Sequence, residues 1–227
     1  RDLSLSPRQR ITAWREITRL TTTGENREIE SELRKLYHYD GEDTCSTDRL
    51  CAMNCPVDID TGKLIKQLRF EQHSSFENSI ANWCESNFAL ASKLARLGLA
   101  AANITHKVVG SDVLAGLSRI IRKVSGNQIP QWNPHFPKPA PSIDWKYEAK
   151  TNLSKVVYFP SCICGMMGPS EGSYTSHAEA VHKVLNRAGY QYIHPEGIEN
   201  MCCGVAFDSK GFPNQAKRKT EELKEAL

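Results

Sequence analysis

The spacing of apolar residues in the first 125 positions predicts a helical region. Ser6 followed by Pro7 is a typical helix start, with Ser6 as the N-cap and Pro7 at the first helical position. No strand pattern occurs before residue 126. The same spacing predicts the following helical faces: Ile11, Trp14 and Ile17; Ile29, Leu33 and Leu36, in a helix ending at Asp40-Gly41; Leu64, Ile65 and Leu68, after a cap at Thr61; and Ser75 to Val124, with a break at Gly110-Ser111-Asp112.

The periodicity changes after residue 126. The stretch from Gly126 to Pro141 contains five prolines, which is typical of a linker. Behind it we predict a strand over Val156–Phe159, ending at Pro160, and a second strand over Tyr190–Ile193. Between them lies a predicted helix, Ala178–Ala188, with Ala180, Val181, Val184 and Leu185 facing inward. The order strand, helix, strand indicates an α/β unit whose loops follow the carboxyl ends of the strands.

Composition narrows the class of protein. The 227 residues carry a formal net charge of +3, which does not indicate nucleic-acid binding. The most apolar helical stretch, Phe88 to Ile104, contains Lys93 and Arg96 and is too short to span a bilayer. We expect no secretory signal in this protein. The chain begins with Arg1 and ends inside a predicted charged helix, so we expect it to be a piece of a longer protein.

The eight cysteines are clustered, which favours metal binding. Three lie at positions 45, 51 and 55, two at 162 and 164, and two at 202 and 203, whereas Cys84 stands alone. A disulfide scaffold is typical of short secreted chains, which this is not. Cys84 shares a predicted helical face with Ile80, Trp83 and Phe88, so we expect it in the core. The histidines, including His177, His182 and His194, form no motif and are expected to be ordinary surface residues.

The first cysteine group has the spacing of an iron–sulfur motif. Cys45, Cys51 and Cys55 read C-x5-C-x3-C-P, and ferredoxin runs read C-x2-C-x2-C-x3-C-P, with Asp48 at the position of the missing cysteine. In two-cluster ferredoxins the last cysteine of a run ligates the other cluster. By that rule Cys45 and Cys51 serve one cluster and Cys55 serves a second, and each is completed by residues outside this chain. The dipole of the helix beginning near Thr61 would favour an anionic cluster.

Two questions stay open in this group. Asp48 would ligate iron weakly, leave a three-iron cluster, or be a solvated loop residue. A zinc site is the alternative to iron, since the three thiolates with His38 or His73 would make a Cys₃His set. The proline that follows Cys55 favours iron–sulfur.

The second cysteine group is less specific. Cys162 precedes Cys202 and Cys203 by thirty-nine intervening residues. Adjacent cysteines are poor disulfide partners, but they suit two irons of one cluster reached from one turn. Gly204 would let the backbone pass close to that cluster, and Cys164 is a further candidate ligand. The alternative is a set of buried free cysteines.

Several motifs in order resemble the iron–sulfur region of FAD-linked D-lactate dehydrogenases of the respiratory type. The motifs are Cys51-Ala-Met-Asn-Cys55-Pro-Val-Asp-Ile-Asp-Thr-Gly-Lys-Leu-Ile-Lys, the opening Arg1-Asp-Leu-Ser-Leu-Ser-Pro-Arg-Gln-Arg-Ile, Tyr158-Phe-Pro-Ser-Cys162, Glu199-Asn-Met-Cys-Cys203-Gly and Ser209-Lys-Gly-Phe-Pro. The resemblance covers essentially the whole chain. It departs from the ferredoxin run at Asp48, which bears on the type of cluster held by Cys45 and Cys51.

This resemblance implies a fold class and a function. It implies a mainly α, alpha-helical ferredoxin-like segment at 1–126, a Pro-rich linker at 127–154 and a partial α/β CCG module at 155–227. Cys45, Cys51, Cys55, Cys162, Cys202 and Cys203 would ligate 4Fe-4S clusters, and the cluster next to Asp48 would be of the 4Fe-4S or the 3Fe-4S type. The clusters would pass electrons from FAD, bound in a preceding domain of the same full-length chain, to a quinone or cytochrome.

The resemblance also sets the expected location and leaves other donors open. The protein would lie in the cytoplasm, peripheral on the inner face of the membrane. No catalytic residue for lactate oxidation is expected in this chain. The iron–sulfur subunits of glycolate oxidase, anaerobic glycerol-3-phosphate dehydrogenase and heterodisulfide reductase share these features. A zinc-stabilised interaction module is the alternative of a different class.

Overall fold

A computed structural model of the chain describes residues 4–125, 131–141, 154–169 and 175–227. These residues are mainly helical, with eleven α-helices and one two-stranded parallel sheet, which confirms the coarse fold class. The parts of the predicted linker at 126–130 and 142–153 lie outside the described residues. The elements are α1 (Pro7–Thr23), α2 (Arg27–Tyr37), a π-helical segment (His38–Asp43), α3 (Leu50–Met53), α4 (Thr61–Gln72), α5 (Ser75–Ser86), α6 (Phe88–Val109), α7 (Ser111–Val124), β1 (Ser154–Val157), α8 (Cys162–Met166), α9 (His177–Arg187), β2 (Tyr190–Ile193), a 3-10 turn (Ile198–Asn200), α10 (Val205–Ser209) and α11 (Pro213–Ala226).

The first helix begins and ends where local residue chemistry predicts. The Ser6 hydroxyl accepts a hydrogen bond from the Gln9 amide, and the Gln9 side chain accepts one from the Ser6 amide, which completes a capping box. Gly24 ends the helix in the left-handed conformation at φ 71°. Ile17 and Leu20 are buried on the inward face of the helix.

The second helix differs from its prediction at its end and on its inward face. It does not stop at Asp40-Gly41, because the backbone continues through Gly41 as the π-helical segment. Tyr37 is buried at 2 % exposure, whereas Leu36 is 54 % exposed. Gly41 lies against the Tyr37 ring, and a Cβ at position 41 would come within 2.7 Å of it. A glycine is therefore needed here for close packing, and the larger aromatic ring takes the core position.

The chain divides into two compact units. The first contains Arg1–Asn82 and Cys203–Arg218, and the second contains Trp83–Cys202 and Lys219–Leu227. This division differs from the segments 1–126, 127–154 and 155–227, which stay a prediction. The core of the first unit is formed by Ile17, Tyr37, Ile65 and Leu68, with Trp14 and Cys45 packed against it.

The second unit contains the parallel sheet. Ser154 to Val157 pair with Tyr190 to Ile193 in register, and α9 connects the two strands, as the strand, helix, strand order predicts. The first strand ends at Val157 instead of extending to Phe159. Ala178, not Ala180, is the buried alanine of α9, and Val184 is exposed, so two of the four predicted inward positions were wrong.

Two further boundaries differ from the predictions. Asn87 separates α5 from α6, in addition to the predicted break at Gly110. In the described part of the predicted linker, Trp132 and Ala140 are buried. The Trp132 amide donates to the Ser118 hydroxyl of α7 at 3.0 Å, so this stretch is packed against a helix. Among the described residues, no helix is both long and apolar enough to cross a bilayer.

Candidate functional site

The thiol of Cys51 lies at the N-terminus of α4. Its Sγ is 3.1 Å from the Thr61 hydroxyl oxygen. The Thr61 hydroxyl, followed by the backbone N–H groups of Thr61 and Gly62, lowers the pKa of Cys51, while partial burial opposes the shift. The unpaired N–H groups of a helix start favour negative charge, so this environment stabilises a thiolate, the form of cysteine that binds metals.

The sequence placed the cap of α4 one residue too late. Asp60 is the N-cap, since its carboxylate accepts from the Gly62 amide at 2.9 Å, and Thr61 is the first helical residue. The predicted cap at Thr61 was therefore wrong. Its hydroxyl is instead directed at the Cys51 sulfur. Asp60 takes the capping role because it is one residue earlier and has a more strongly accepting carboxylate.

The loop that carries the first three cysteines has an unusual backbone. Among the described residues, four non-glycine residues adopt positive φ, and three of them, Thr47, Arg49 and Asp58, lie in this loop. Such conformations are unfavourable for side chains with a Cβ and persist only where surrounding contacts enforce them. Gly62 is one such contact: a Cβ there would lie 2.9 Å from Asp60 Oδ1 and 3.3 Å from Thr47 Cα. The loop therefore packs directly onto the start of α4.

Arg69 fixes the Cys45 end of the loop. Its guanidinium donates to the Cys45 carbonyl at 3.0 Å and to the Glu42 carbonyl. A third hydrogen bond from the same group reaches the Ser209 carbonyl, 140 residues further along the chain. One half-buried guanidinium therefore joins the first cysteine loop to the segment that follows Cys203.

Further contacts hold the segment after Cys203 against α4. Lys66 forms an ion pair with Asp208. The His73 ring stacks on Phe212, with ring centroids 3.9 Å apart. Gly211, at φ 84°, approaches the α4 backbone so closely that a Cβ would lie 2.7 Å from the Phe70 amide nitrogen. The first compact unit thus contains Cys45, Cys51, Cys55 and Cys203.

Asp48 has the contacts of a loop residue. Its exposed carboxylate accepts from the Leu50 amide at 3.1 Å and from the Ser46 hydroxyl at 2.9 Å. These hydrogen bonds, the one from the Leu50 amide first, lower the pKa of Asp48. The carboxylate thus supports the turn into α3, which favours the solvated-loop interpretation over iron ligation.

Cys162 lines a cleft in the second unit. The residue begins α8 and lies in a cavity of about 110 Å³ whose wall includes Lys93, Arg96, Ser161 and Met201. Arg96 also donates to the Ala140 carbonyl at 3.1 Å, which fixes its position. Glu199 lines the same cavity, so charged side chains of both signs surround Cys162. The sequence showed Lys93 and Arg96 only as charged residues in an apolar stretch, and it did not predict that they line a cavity with Cys162.

The two adjacent cysteines have different surroundings. Cys202 is buried at 1 % exposure, whereas Cys203 is exposed. Gly204 after them adopts φ 81° and is the N-cap of α10. Its close approach to a cluster stays a prediction. Cys164 lies 3.8 Å from Nδ1 of the exposed His177. The pairing of Cys202 and Cys203 on one cluster therefore stays a prediction.

Cys84 and His182 lie outside the two cysteine groups, and the surroundings of both differ from those expected. Cys84 is half-buried and does not belong to the buried core, although burial raises the pKa of its thiol. Its predicted neighbours Ile80 and Trp83 are exposed. His182 is not an ordinary surface histidine: its ring stacks on Tyr192 with centroids 3.8 Å apart, and burial lowers its pKa.

All eight cysteines lie in the described residues, and none forms a disulfide. Across residues 4–125, 131–141, 154–169 and 175–227, no three His, Cys, Asp or Glu side chains form a group that could hold a metal ion. Among these thiols, that of Cys51 has an environment that lowers its pKa and so favours the thiolate. The helix contacts of Cys51 followed from the sequence in outline, whereas the role of Arg69 has no sequence signal beyond its being a basic residue of α4.

Comparisons with protein-family profiles, with curated proteins and with solved structures gave no match to this chain.

Proposed function

We propose that this chain is an electron-transferring, iron–sulfur region of an FAD-linked D-lactate dehydrogenase. The observation that supports it most is the Cys51 thiol, activated by the Thr61 hydroxyl and the start of α4 inside a C-x5-C-x3-C-P loop. The remaining support is the series of sequence motifs that resemble this family. The identity of the donor rests on that resemblance alone.

The donor set suits iron–sulfur chemistry. When bound, the clusters would supply one-electron carriers of tuned potential. Cys45, Cys51 and Cys55 would be ligands from the first loop, and Cys162, Cys202 and Cys203 from the second group, with further thiolates from outside this chain. No step of lactate oxidation is assigned to these residues, so the chain conducts electrons and does not itself catalyse the reaction.

The protein groups around the thiols have separate tasks in this proposal. The Thr61 hydroxyl and the first amides of α4 hold the charge of the Cys51 thiolate. Arg69 holds the Cys45 backbone in place. Lys93, Arg96 and Glu199 would set the charge around Cys162. Hydrogen bonds and charges of this kind tune cluster potentials.

The proposed electron path has a flavin at one end and a respiratory acceptor at the other. The partners are an FAD domain of the same full-length chain and a quinone or cytochrome at the inner face of the cytoplasmic membrane. Glycolate and glycerol-3-phosphate are alternative donors for related subunits. A D-lactate-dependent bleaching of the flavin in the full-length protein, without response to glycolate or glycerol 3-phosphate, would distinguish them.

Anaerobic reconstitution tests the proposal. The full-length protein should bind iron and sulfide in equal amounts, turn brown, and give an EPR signal after reduction. Cys51→Ser should lower iron content and change the EPR signal, whereas the matched variant Cys84→Ser should leave both unchanged. A colourless protein with one stoichiometric zinc would contradict the proposal and support the zinc module.

The ligand partition has its own test. The 227-residue chain alone should hold iron poorly, because incomplete ligand sets forfeit the binding energy of a closed site. Recovery of two complete four-iron clusters on this chain would refute the partition of Cys45, Cys51 and Cys55 between two clusters, but not the presence of clusters.

A further inference from the structure

Helix α6 exposes an apolar stripe along its whole length. Leu90, Leu94, Leu97, Ile104 and Val108 lie on one helical face, together with Ala101, at alternating steps of four and three residues. Each of the five larger side chains is about half exposed or more, with Leu97 at 64 % and Val108 at 78 %. Over 22 residues the helix is about 33 Å long. Exposed apolar surface of this extent marks an interaction site.

Helix α7 carries a second exposed stripe. Val113, Leu117, Ile120 and Val124 repeat the same spacing, and Val124 is 85 % exposed. Leu114, which lies outside this stripe, is buried. The two helices are neighbours joined by Gly110. We call the two exposed stripes together the hairpin face.

The hairpin that carries this face is strongly basic. Residues 88–124 contain six lysines and arginines, and Asp112 is their one acidic residue. Lys93, Lys107, Arg119 and Lys123 are exposed. In the part of the chain that the structure describes, these four cations form no ion pair. The charge is therefore available to an anionic partner.

We propose that the hairpin face binds the surface of an anionic phospholipid bilayer. Apolar residues on one face and Lys and Arg on the other are the signature of helices that lie in the membrane interface. Neither helix is long and apolar enough to cross the bilayer, so the hairpin lies on the surface with its basic residues near the headgroups. A second copy of this chain is a poorer partner, because two equally basic hairpins would repel each other and supply no acidic residues.

This inference does not depend on the iron–sulfur proposal. It uses only the apolar exposure and charge of α6 and α7. If the protein held no clusters, lipid binding would still be expected. If lipid binding failed, the iron–sulfur proposal would be unaffected.

Co-sedimentation with vesicles tests the proposal. The chain should bind vesicles of phosphatidylcholine with 30 % phosphatidylglycerol at least tenfold more tightly than vesicles of phosphatidylcholine alone. Binding should weaken with salt. Lys107→Gln and Lys123→Gln should each weaken binding about fivefold. The double variant L97D/I104D should weaken it at least tenfold, and circular dichroism should show an unchanged helix content because both positions are exposed.

A matched control is available on α9. Val184 is also exposed, at 65 %, but lies away from the hairpin face, so Val184→Asp should leave lipid binding unchanged. Equal binding to neutral and anionic vesicles, or L97D/I104D binding as well as V184D, would overturn the proposal. A concentration-dependent dimer that L97D/I104D abolishes, without vesicle binding, would show that a second copy covers the face and would likewise overturn it.

Discussion

Replacing Arg69 by methionine tests whether one guanidinium holds the first cysteine loop to the segment after Cys203. The methionine keeps the aliphatic length and removes only the donors. Three carbonyls, those of Glu42, Cys45 and Ser209, lose their hydrogen bonds. The loop and the distant segment would then be joined mainly by the weaker contacts around α4.

The magnitude follows from those three bonds. Hydrogen bonds to a charged group contribute about 1.5–3 kcal/mol each. Their sum is an upper limit, because bonds that share one side chain are not additive and the half-buried carbonyls regain water in the variant. We therefore expect Arg69→Met to lower the free energy of unfolding of the first unit by about 2–4 kcal/mol. Arg69→Lys should have a free energy of unfolding between those of the wild type and Arg69→Met, because one ammonium group cannot donate to all three carbonyls as the planar guanidinium does.

The assay should report on the first unit alone. Urea titration followed by pulsed alkylation and mass spectrometry gives the midpoint at which Cys45 and Cys55 become reactive. Arg19→Met is the matched control, because Arg19 pairs with Glu16 and Glu25 on an exposed surface and such pairs stabilise little. Equal shifts of the urea midpoint for Arg69→Met and Arg19→Met would refute the reasoning.

Three further substitutions test the site in the same unit. Thr61→Val should raise the pKa of the Cys51 thiol and slow its alkylation near neutral pH, whereas Thr61→Ser keeps the hydroxyl and should preserve the rate. Gly62→Val should lower the free energy of unfolding by more than about 1 kcal/mol, because its side chain clashes with Asp60 and Thr47 at the start of α4. Gly98→Ala is the control: its Cβ meets no atom within 4 Å, so it should be neutral or stabilising. Burial raises the pKa of Glu42 above its ordinary 4.5, so Glu42 ionises at a lower pH in the unfolded chain than in the folded one. The free energy of unfolding therefore falls as pH rises above 4.5, until the folded group has ionised as well. Glu42→Gln should remove this pH dependence of the free energy of unfolding, measured by urea titrations at several pH values.

Each of the predictions for Thr61→Val, Gly62→Val and Glu42→Gln has one outcome that would contradict it. An unchanged alkylation profile in Thr61→Val would show that the hydroxyl does not stabilise the thiolate. A Gly62→Val chain as stable as Gly98→Ala would mean that the loop is free to move away from α4. A pH slope that persists in Glu42→Gln would assign it to another group.

The cysteine spacing, the start of α1 and the helical character of the first 125 residues were determined by local sequence. The boundaries of α1 follow from Ser6, Pro7 and Gly24, because capping bonds and left-handed glycines involve residues only a few positions apart. The parallel strand, helix, strand order was predictable for the same reason: pattern and connection length are local properties.

Tertiary structure decided which residues serve the site. Apolar periodicity alone did not predict that Tyr37 would displace Leu36 from the core, because that choice depends on the space that Gly41 leaves beside the ring. Nor did it indicate that Arg69 would bind both Cys45 and Ser209, because the two carbonyls are far apart in the chain and meet only after folding. Local chemistry therefore set the boundaries of α1, and long-range packing set which side chains hold the first cysteine loop in place.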